Sequence, residues 1–323
     1  MKVFIAGGTG NMGQNLTRKL LDKGHEVVLL TRTPDRIAGL IGRENVTFVK
    51  GSILDFDALR AGLKGCDAVV DFALNMDGRT PLDILDNETR GVVGLLQLAE
   101  EAGAKKFIYT STVAVMGPGV TEDDPIRPWG LYGATKAAAE AYVKGFHEYF
   151  AGFNGERDKP VTMLRNIVRP GETFSDPAFE GGASESWPLI RNIVRKVYKG
   201  ENLEFNINEG CQWAAGKQVA DVYMAILESD VNQEIFLAVG SAFVRHAEIA
   251  EMAKELLPKS PSIITVTGEE DPWPLRSTKK IKDYFGIEYT GKEYLKDHIA
   301  WLIDQCRKEE AGEPTQDYNH STK

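Results

Sequence analysis

A short apolar strand that enters a glycine-rich turn and then a helix is the feature that most constrains the fold of this chain. The apolar residues 3–6 precede the turn GGTGNMG at residues 7–13, and leucines at 16, 20 and 21 then fall on one helical face. Residues 24–26 end that helix, and the apolar run at 27–30 indicates a second buried strand. This order predicts a βαβ unit at the start of the chain.

The spacing of the glycines in this turn has a physical reading. Gly7 suits a tight turn, Gly10 lets the backbone approach a pyrophosphate, and Gly13 allows close packing of helix on strand. The exposed amides at the start of a helix favour anionic phosphates. The turn is therefore a predicted dinucleotide-binding loop and not only a connection.

Apolar strand-like runs alternate with helical segments along most of the chain. We expect strands at residues 2–6, 26–31, 46–49, 67–72, 105–110, 161–168 and 234–239. This alternation predicts an α/β fold with a doubly wound, Rossmann-type parallel sheet. The pattern breaks after Pro170, where residues 181–188 form a predicted substrate-side loop followed by a helix at about 188–199.

These changes of pattern suggest a division of the chain. We assign residues 1–170 and about 205–245 to an NAD(P)-binding Rossmann domain. Residues of about 171–204 and 246–308 form a smaller substrate-binding lobe, and residues 309–323 form a polar tail.

Composition excludes several classes of protein. A length of 323 residues with 42% hydrophobic content can fill a large core, and no apolar run approaches the ~20 residues of a membrane span. The formal charge of -9 disfavours nonspecific binding to nucleic acid. Cys66, Cys211 and Cys306 lack metal-ligand spacing and a disulfide framework. We expect a cytoplasmic protein with no metal, membrane or nucleic-acid partner.

A phenol and an ammonium lie four residues apart in the segment YGATK. On a helix Tyr132 and Lys136 share one face, and the positive charge favours ionisation of a phenol that ordinarily titrates near pH ~10. Hydroxyl side chains at 110–112 follow the predicted strand at 105–110, where strand ends converge on a ligand crevice. Two residues on a solvated helix would show the same spacing, but the added hydroxyls and the glycine turn favour a catalytic set.

At this point the chain resembles the extended short-chain dehydrogenase/reductase superfamily, in its NAD(P)-dependent epimerase/dehydratase-like group. The resemblance covers about residues 1–290 and includes GGTGNMG and YGATK. It also includes the segments at 65–73, 95–99, 107–117, 164–171 and 219–222. It implies a Rossmann domain, a nicotinamide cofactor, a small-molecule substrate and a homodimer.

The resemblance implies roles for individual residues. Tyr132 would be the general acid or base, Lys136 would favour its phenolate and hold the nicotinamide ribose, and Thr112 would hydrogen-bond the reacting oxygen. The residues implied in cofactor binding are Gly7, Thr9, Gly10, Asn11, Met12, Gly13, Arg32, Arg36, Ser52, Ile53, Ala73, Leu74, Thr110, Tyr132 and Lys136. The register places Glu88 nearest to the family's helix-four asparagine, and the predicted catalytic set includes neither Asn87 nor Glu88.

The choice between the two nicotinamide cofactors depends on the end of the second strand. An NAD site usually has an acidic residue there for the ribose 2′-hydroxyl, whereas this chain has Arg32, with Arg36 following one helical turn later. A guanidinium pairs with a 2′-phosphate. We therefore expect NADP, with NAD possible if Arg32 only packs across the adenine.

Departures from the family narrow the expected reaction. Val113, Ala114 and Val115 follow Thr112 where sugar dehydratases carry an acidic pair, and residues 212–217 lack the arginine that nucleotide-sugar epimerases use for pyrophosphate. Lys217 or Arg276 could substitute for that arginine, and Trp187 and Trp213 suggest an apolar or ring-stacking substrate surface. We expect an oxidoreductase of a small non-nucleotide alcohol or carbonyl compound. The alternatives are a sugar or nucleotide-sugar epimerase with tightly bound NAD and a catalytically silent NADP-sensing protein.

Overall fold

The fold is known from a computed structural model, which describes residues 1–74, 80–152, 162–182, 188–271, 273–289 and 292–315. Within these residues the strands are β1 Lys2–Ala6, β2 Glu26–Thr31, β3 Val46–Lys50, β4 Ala68–Asp71, β5 Lys106–Thr110, β6 Leu164–Pro170, β7 Thr173–Phe174, β8 Leu203–Asn206, β9 Gly210–Cys211, β10 Ala214–Ala215, β11 Ile235–Ala238, β12 Val244–Arg245 and β13 Ile264–Thr267. The α-helices are α1 Asn11–Asp22, α2 Phe56–Gly62, α3 Pro81–Leu85, α4 Gly91–Glu101, α5 Gly130–Gly152, α6 Leu189–Lys199, α7 Gly216–Glu228, α8 His246–Leu256, α9 Lys279–Phe285 and α10 Lys292–Glu310.

Seven parallel strands form the central sheet in the order β11-β6-β5-β4-β1-β2-β3. The order reverses direction on either side of β1, so the crossover helices cover both faces. This is the doubly wound Rossmann-type sheet that the alternating pattern predicted, and the prediction is confirmed. The ends of each predicted strand lie within three residues of the ends of an observed strand.

The two faces of the sheet pack against different helices. Val3 and Ile5 of β1 contact the cluster that includes Leu16 and Leu20 of α1 together with apolar residues of α7. Phe4 and Ala6 point to the other face, where α2, α4 and α5 pack. Because neighbouring strand residues point to opposite faces, a strand covered on both sides is apolar at most of its positions. This explains the unbroken apolar runs in the sequence.

A second core lies outside the main sheet. Apolar residues of α6, α8 and α10 pack together with those of β8 and β12. Here β8 pairs with β13, and β9 pairs with β12. This is the position predicted for the smaller lobe, although the bounds that we gave for the two regions stay a prediction.

Two helices, α9 and α10, do not follow the bounds that we predicted for the lobe and the tail. Helix α9 lies within the range assigned to the lobe, but its Ile281 is buried in the core of the main sheet and Phe285 packs on Phe236 of β11. Helix α10 runs to Glu310, two residues into the predicted tail, and residues 316–323 lie outside the described part of the chain. Sequence order alone does not show that α9 returns to the sheet.

Candidate active site

The predicted site residues gather at one edge of the central sheet. Strands β1, β2, β4 and β5 are parallel, so their carboxyl ends, at Ala6, Thr31, Asp71 and Thr110, lie on the same side. The glycine turn follows the first of these ends. Ligands of open α/β sheets bind outside such strand ends, at the point where the strand order reverses.

The glycine turn leaves no room for side chains at two of its positions. Gly7 has φ +76°, and a Cβ atom on it would lie 2.7 Å from the carbonyl oxygen of Phe72. A Cβ atom on Gly13 would lie 2.3 Å from the carbonyl oxygen of Gly7. At the helix start, Gly10 offers no side-chain cap to α1, and the first turn carries no acidic residue. Backbone amides at an uncapped helix start fit the pyrophosphate of a dinucleotide.

The remaining residues of the turn differ in their surroundings. Thr9 and Met12 are partly buried. The side-chain amide of Asn11 donates to the hydroxyl oxygen of Thr173 at 3.3 Å, and its carbonyl oxygen accepts from Ser175. The Asn11 side chain therefore joins the turn to the segment around β7.

The residues predicted at the adenine end follow β2 and β3. Arg32 is exposed at the end of β2, and Arg36 is partly buried in a 3-10 turn, Pro34–Arg36. The Ser52 hydroxyl accepts from the backbone amide of Leu54 at 3.3 Å, and Ile53 is buried beneath Gly91. These positions lie after neighbouring strands, as a nucleotide-binding edge requires.

One contact at this end was missed by sequence reasoning. Gly181 has φ +82°, and a Cβ atom on it would lie 2.0 Å from the carbonyl oxygen of Arg36. The adjacent ring of Phe179 carries the guanidinium of Arg18 at 4.2 Å from its centroid. The segment after β7 therefore packs on the arginine turn. The paired glycines at 181 and 182 were a visible signal, but we assigned them to the substrate side.

The residues after β4 lie at the nicotinamide end of the predicted cofactor. The backbone amide of Ala73 donates to the carboxylate of Asp71 at 2.9 Å, while 46% of the Leu74 side chain is exposed. Residues 75–79, which follow, lie outside the described part of the chain.

Thr112, Tyr132 and Lys136 come together as the spacing suggested. The Thr112 hydroxyl hydrogen-bonds the Tyr132 phenol, and it also accepts from the backbone amide of Ala114 at 3.2 Å. Lys136 is buried, and its Nζ atom donates to the carbonyl oxygen of Thr110 at 3.2 Å. The Thr110 hydroxyl is 2.8 Å from the hydroxyl of Tyr223 on α7. Thr110 thus contacts the site through its carbonyl group and not through its side chain.

Several neighbouring groups shift the pKa of the Tyr132 phenol in opposite directions. Burial raises its pKa above the ordinary value of 10, and Lys136 acts in the opposite direction. Glu88 and Glu172 raise the pKa further, while the hydrogen bond from Thr112 lowers it. Burial is the largest of these effects, so in the protein alone the phenol is protonated at neutral pH. A protonated phenol is the form that donates to a carbonyl oxygen.

Glu88 is a site residue that our catalytic set omitted. Its Oε2 atom lies 2.8 Å from Nζ of Lys136, and both side chains are almost wholly buried. The opposite charge raises the pKa of Lys136 well above 10.5 against the effect of burial, so the lysine is cationic. The register with the family motif had pointed to this position, but an acidic residue in place of an amide gave no reason to include it.

Asp71 is the second omitted carboxylate. It lies fully buried at the end of β4, and burial raises its pKa to about 7, with Lys136 lowering and Glu88 raising it. Its Oδ2 atom has no hydrogen-bond partner within the described residues. An aspartate that follows three apolar residues of a buried strand was the available signal.

A second group of polar residues includes Glu172, which acts on the pKa of Tyr132. Burial raises the pKa of Glu172, and the nearby guanidinium of Arg276 lowers it to a smaller extent. Arg276 also lies over the ring of Trp129, 5.9 Å from its centroid, and donates to the carbonyl oxygen of Gly117 at 3.2 Å. Trp129 is 48% exposed and precedes Tyr132 by three residues. This group therefore combines a buried carboxyl group and a guanidinium with an aromatic surface.

Other residues that we had placed near the substrate lie elsewhere. Trp213 is buried in the core of the lobe, because its ring fills space between α6 and α8. Lys217 is exposed and lies over the ring of Tyr294, 3.4 Å from its centroid. Trp187 lies outside the described residues. Of the two cations considered for a substrate anion, Arg276 is the one that the fold brings close to Glu172 and Trp129.

Three further observations concern the described part of the chain. There, no helix has the length and apolar character needed to cross a membrane, and no group of three or more His, Cys, Asp or Glu side chains is arranged for a metal ion. The three cysteines are free thiols, and burial raises the pKa of Cys66 to about 11. Cys66 is therefore a poor nucleophile.

A comparison with protein families adds direct evidence to this geometry. Residues 3–238, more than half of the chain, match the model of the NAD dependent epimerase/dehydratase family. The chain belongs to this family. The resemblance drawn from the glycine turn and the YGATK segment is thereby confirmed.

Relatives of this member of the family include proteins of different activities. It is 31% identical over 219 residues to the low-salt glycan biosynthesis protein Agl12 of Haloferax volcanii. The matched stretch covers 63% of this chain and 64% of the relative. It is 30% identical over 212 residues to a UDP-glucose 4-epimerase of Lactobacillus helveticus, covering 62% and 61% of the two chains. The chain thus spans less than two thirds of the length of these curated relatives.

Solved structures show the same fold over the whole chain. A crystal structure of a UDP-glucose 4-epimerase superposes with a TM-score of 0.78 at 19% identity, covering 98% of this chain and 100% of the other. A UDP-glucuronic acid 4-epimerase from Bacillus cereus in complex with NAD gives a TM-score of 0.77 at 19% identity, with the same coverage. At this identity the likeness establishes the architecture and leaves the substrate open.

Proposed function

We propose that this family member is an NAD(P)-dependent oxidoreductase that transfers a hydride between nicotinamide and a small non-nucleotide alcohol or carbonyl substrate. The observation that carries the proposal is the convergence of the Thr112 hydroxyl, the Tyr132 phenol and the Lys136 ammonium beside the glycine turn. The bound nicotinamide would supply the hydride acceptor or donor. The protein would supply the proton transfer and the orientation.

The glycine turn and the residues after β2 would hold the cofactor. The uncapped start of α1 suits the pyrophosphate, and Ile53, Ala73 and Leu74 would line the adenine and ribose positions. Exposed Arg32, with Arg36 four residues later, supports NADP as the preferred cofactor because an arginine and not a carboxylate stands directly at the end of β2.

Tyr132 would transfer the proton. In the reductive direction its phenol donates to the carbonyl oxygen as hydride reaches the carbon, and in the oxidative direction the phenolate removes the hydroxyl proton. Thr112 would orient the reacting oxygen through its hydroxyl. Lys136 would stabilise the phenolate, because its ammonium lowers the pKa of Tyr132.

The charges near Tyr132 support a neutral substrate. A nucleotide-sugar pyrophosphate needs an unopposed cation, yet Arg276 lies close to Glu172. The carboxylate would repel a dianion and leave the guanidinium only partly available. The exposed face of Trp129 offers a stacking surface for an apolar part of the substrate.

An epimerase of a sugar or sugar nucleotide is the second candidate. Its support is the similarity to UDP-glucose 4-epimerases together with the position of Arg276 over the ring of Trp129. In that case the cofactor would be reduced and reoxidised within one cycle. A catalytically silent NADP-sensing protein is disfavoured, because binding alone needs no Tyr132, Lys136 and Thr112 set.

The nucleotide carried by the freshly purified protein separates the two candidates. The protein is denatured, and any released nucleotide is identified by mass. Stoichiometric NAD or NADH would favour the epimerase and contradict the role given to Arg32. An empty protein, or one that releases NADP or NADPH, would favour the oxidoreductase, and net nicotinamide turnover with alcohols and carbonyl compounds would then be expected.

A further inference from the structure

Glu88 lies in an irregular helical segment beside the candidate active site. Residues Asp86–Arg90 form a π-helical turn between α3 and α4. Single π-helical turns inside helices occur frequently at functional sites, because the extra residue changes the direction of a side chain. Here the side chain of Glu88 is 1% exposed and reaches Lys136.

Two contacts fix this turn against its surroundings. The Thr89 hydroxyl donates to the backbone carbonyl oxygen of Thr135, the residue before Lys136, at 3.2 Å. On the other side, a Cβ atom on Gly91 would lie 2.7 Å from Cγ2 of Ile53. The turn is thus held between α5 and the residues after β3, and Glu88 is directed toward Lys136.

The surroundings of Lys136 contain more negative than positive groups. Glu88 contributes a carboxylate from the π-helical turn, and Asp71 contributes a second one from the end of β4. The other titratable groups that act on Lys136 are the phenols of Tyr109 on β5 and Tyr132 on α5, and Tyr223 on α7 also interacts with it. Glu172 acts on Tyr132 from beyond β6. Lys136 is the cation that Glu88, Asp71 and the phenols share.

We propose that Glu88 is a positioning residue, which holds the Lys136 ammonium at the carbonyl oxygen of Thr110 and offsets part of the positive charge that acts on Tyr132. Glu88 and Asp71 both favour the charged form of the lysine against its burial, so Asp71 keeps the ammonium charged when the Glu88 charge is removed. The ion pair with Glu88 also makes the Tyr132 phenol harder to ionise than it would be beside a lysine without this partner. The proposal rests on the function proposed above, in which Tyr132 exchanges a proton with the substrate.

A purely structural ion pair is the competing explanation, and the chain contains a matched example. Arg169 donates to both carboxylate oxygens of Glu140, at 2.8 and 2.7 Å, and both side chains are buried. Glu140 lies on α5, one helical turn beyond Lys136. Removing its charge therefore reports what the loss of a buried ion pair does when Tyr132 is not involved.

The test follows ionisation of Tyr132 directly, without substrate or cofactor. Ultraviolet difference titration of the protein against its Y132F variant isolates the absorbance of that phenolate. The titration is repeated in E88Q and E140Q backgrounds, within the pH range in which the circular dichroism spectrum stays constant. We expect the Tyr132 midpoint to fall by about one pH unit in E88Q and to stay unchanged in E140Q.

A second variant covers the case in which E88Q does not fold. E88D keeps the charge but shortens the side chain, so the midpoint should fall less than in E88Q. A midpoint that is unchanged or raised in the folded Glu88 variants would overturn the proposal. Because the titration needs no turnover, a shifted midpoint in a protein without oxidoreductase activity would refute the proposed function and leave the positioning role intact.

Once a substrate is known, the pH profile of kcat/KM provides a further readout. The acid limb for alcohol oxidation should move to lower pH in E88Q, in step with the titration. An E140Q protein should lose stability but keep the wild-type profile. Equal profiles in the wild type and E88Q would contradict the proposal.

Discussion

Gly13 packs directly on the backbone of Gly7, since a Cβ atom on Gly13 would lie 2.3 Å from the Gly7 carbonyl oxygen. Backbone cannot yield as a flexible side chain can. Gly13→Ala should therefore destabilise the protein by about 1–3 kcal/mol and weaken cofactor binding through displacement of the turn. Urea unfolding and nucleotide titration measure the two effects. Gly145→Ala is the control, because open space surrounds that helical position and alanine there should stabilise by about 0.5–1 kcal/mol. Equal effects of the two substitutions would contradict this account of the turn.

The exposed arginine after β2 should determine the cofactor preference. Arg32→Ala removes a guanidinium that would pair with a 2′-phosphate, so the ratio of kcat/KM for NADP to that for NAD should fall about tenfold or more. The control is Arg60→Ala, which removes an exposed arginine paired with Glu101 on the far helices α2 and α4. An unchanged ratio in Arg32→Ala would show that this guanidinium does not contact a 2′-phosphate.

Asp71 should make stability depend on pH. Its pKa in the folded protein is raised from 3.8 to about 7, mainly by burial, so the folded state binds more protons than the unfolded state between these values. The stabilisation is complete below about pH 4 and is lost as the pH rises to about 7. Denaturant unfolding from pH about 5 to about 8 should therefore show the wild type losing stability relative to Asp71→Asn. Asp67→Asn, which removes an exposed carboxylate just before β4, is the matched control. If the free energy of unfolding had the same pH dependence in Asp71→Asn and in the wild type, the raised pKa of Asp71 would be contradicted.

Much of the fold was predictable because buried parallel strands appear in the sequence as short apolar runs. Strands β1, β2, β4 and β11 of the central sheet contain apolar runs, and the glycine turn fixes which run comes first. The packing of α9 on β11 was not predictable, because its alternation of apolar and charged residues suits either core.

The candidate site was predictable where a residue type and its spacing both carry chemical meaning. Tyr132 and Lys136 are one helical turn apart, and hydroxyl residues follow a strand. Glu88 and Asp71 were missed, since their meaning depends on where Lys136 points and on burial that distant segments create. Trp213 was placed wrongly for the same reason. The local sequence does not distinguish a tryptophan that lines a substrate site from one that packs in the core of the lobe.

Loss of the Tyr132 hydroxyl tests the central claim most directly. Nicotinamide absorbance is followed while alcohols and carbonyl compounds are screened with the wild type, and the best substrate is then given to Tyr132→Phe and Tyr142→Phe. Tyr142 is 55% exposed on the same helix, so its variant should match the wild type. Tyr132→Phe should lower kcat/KM by about 10²–10⁴-fold. Turnover by Tyr132→Phe at the wild-type rate would contradict the proposed mechanism.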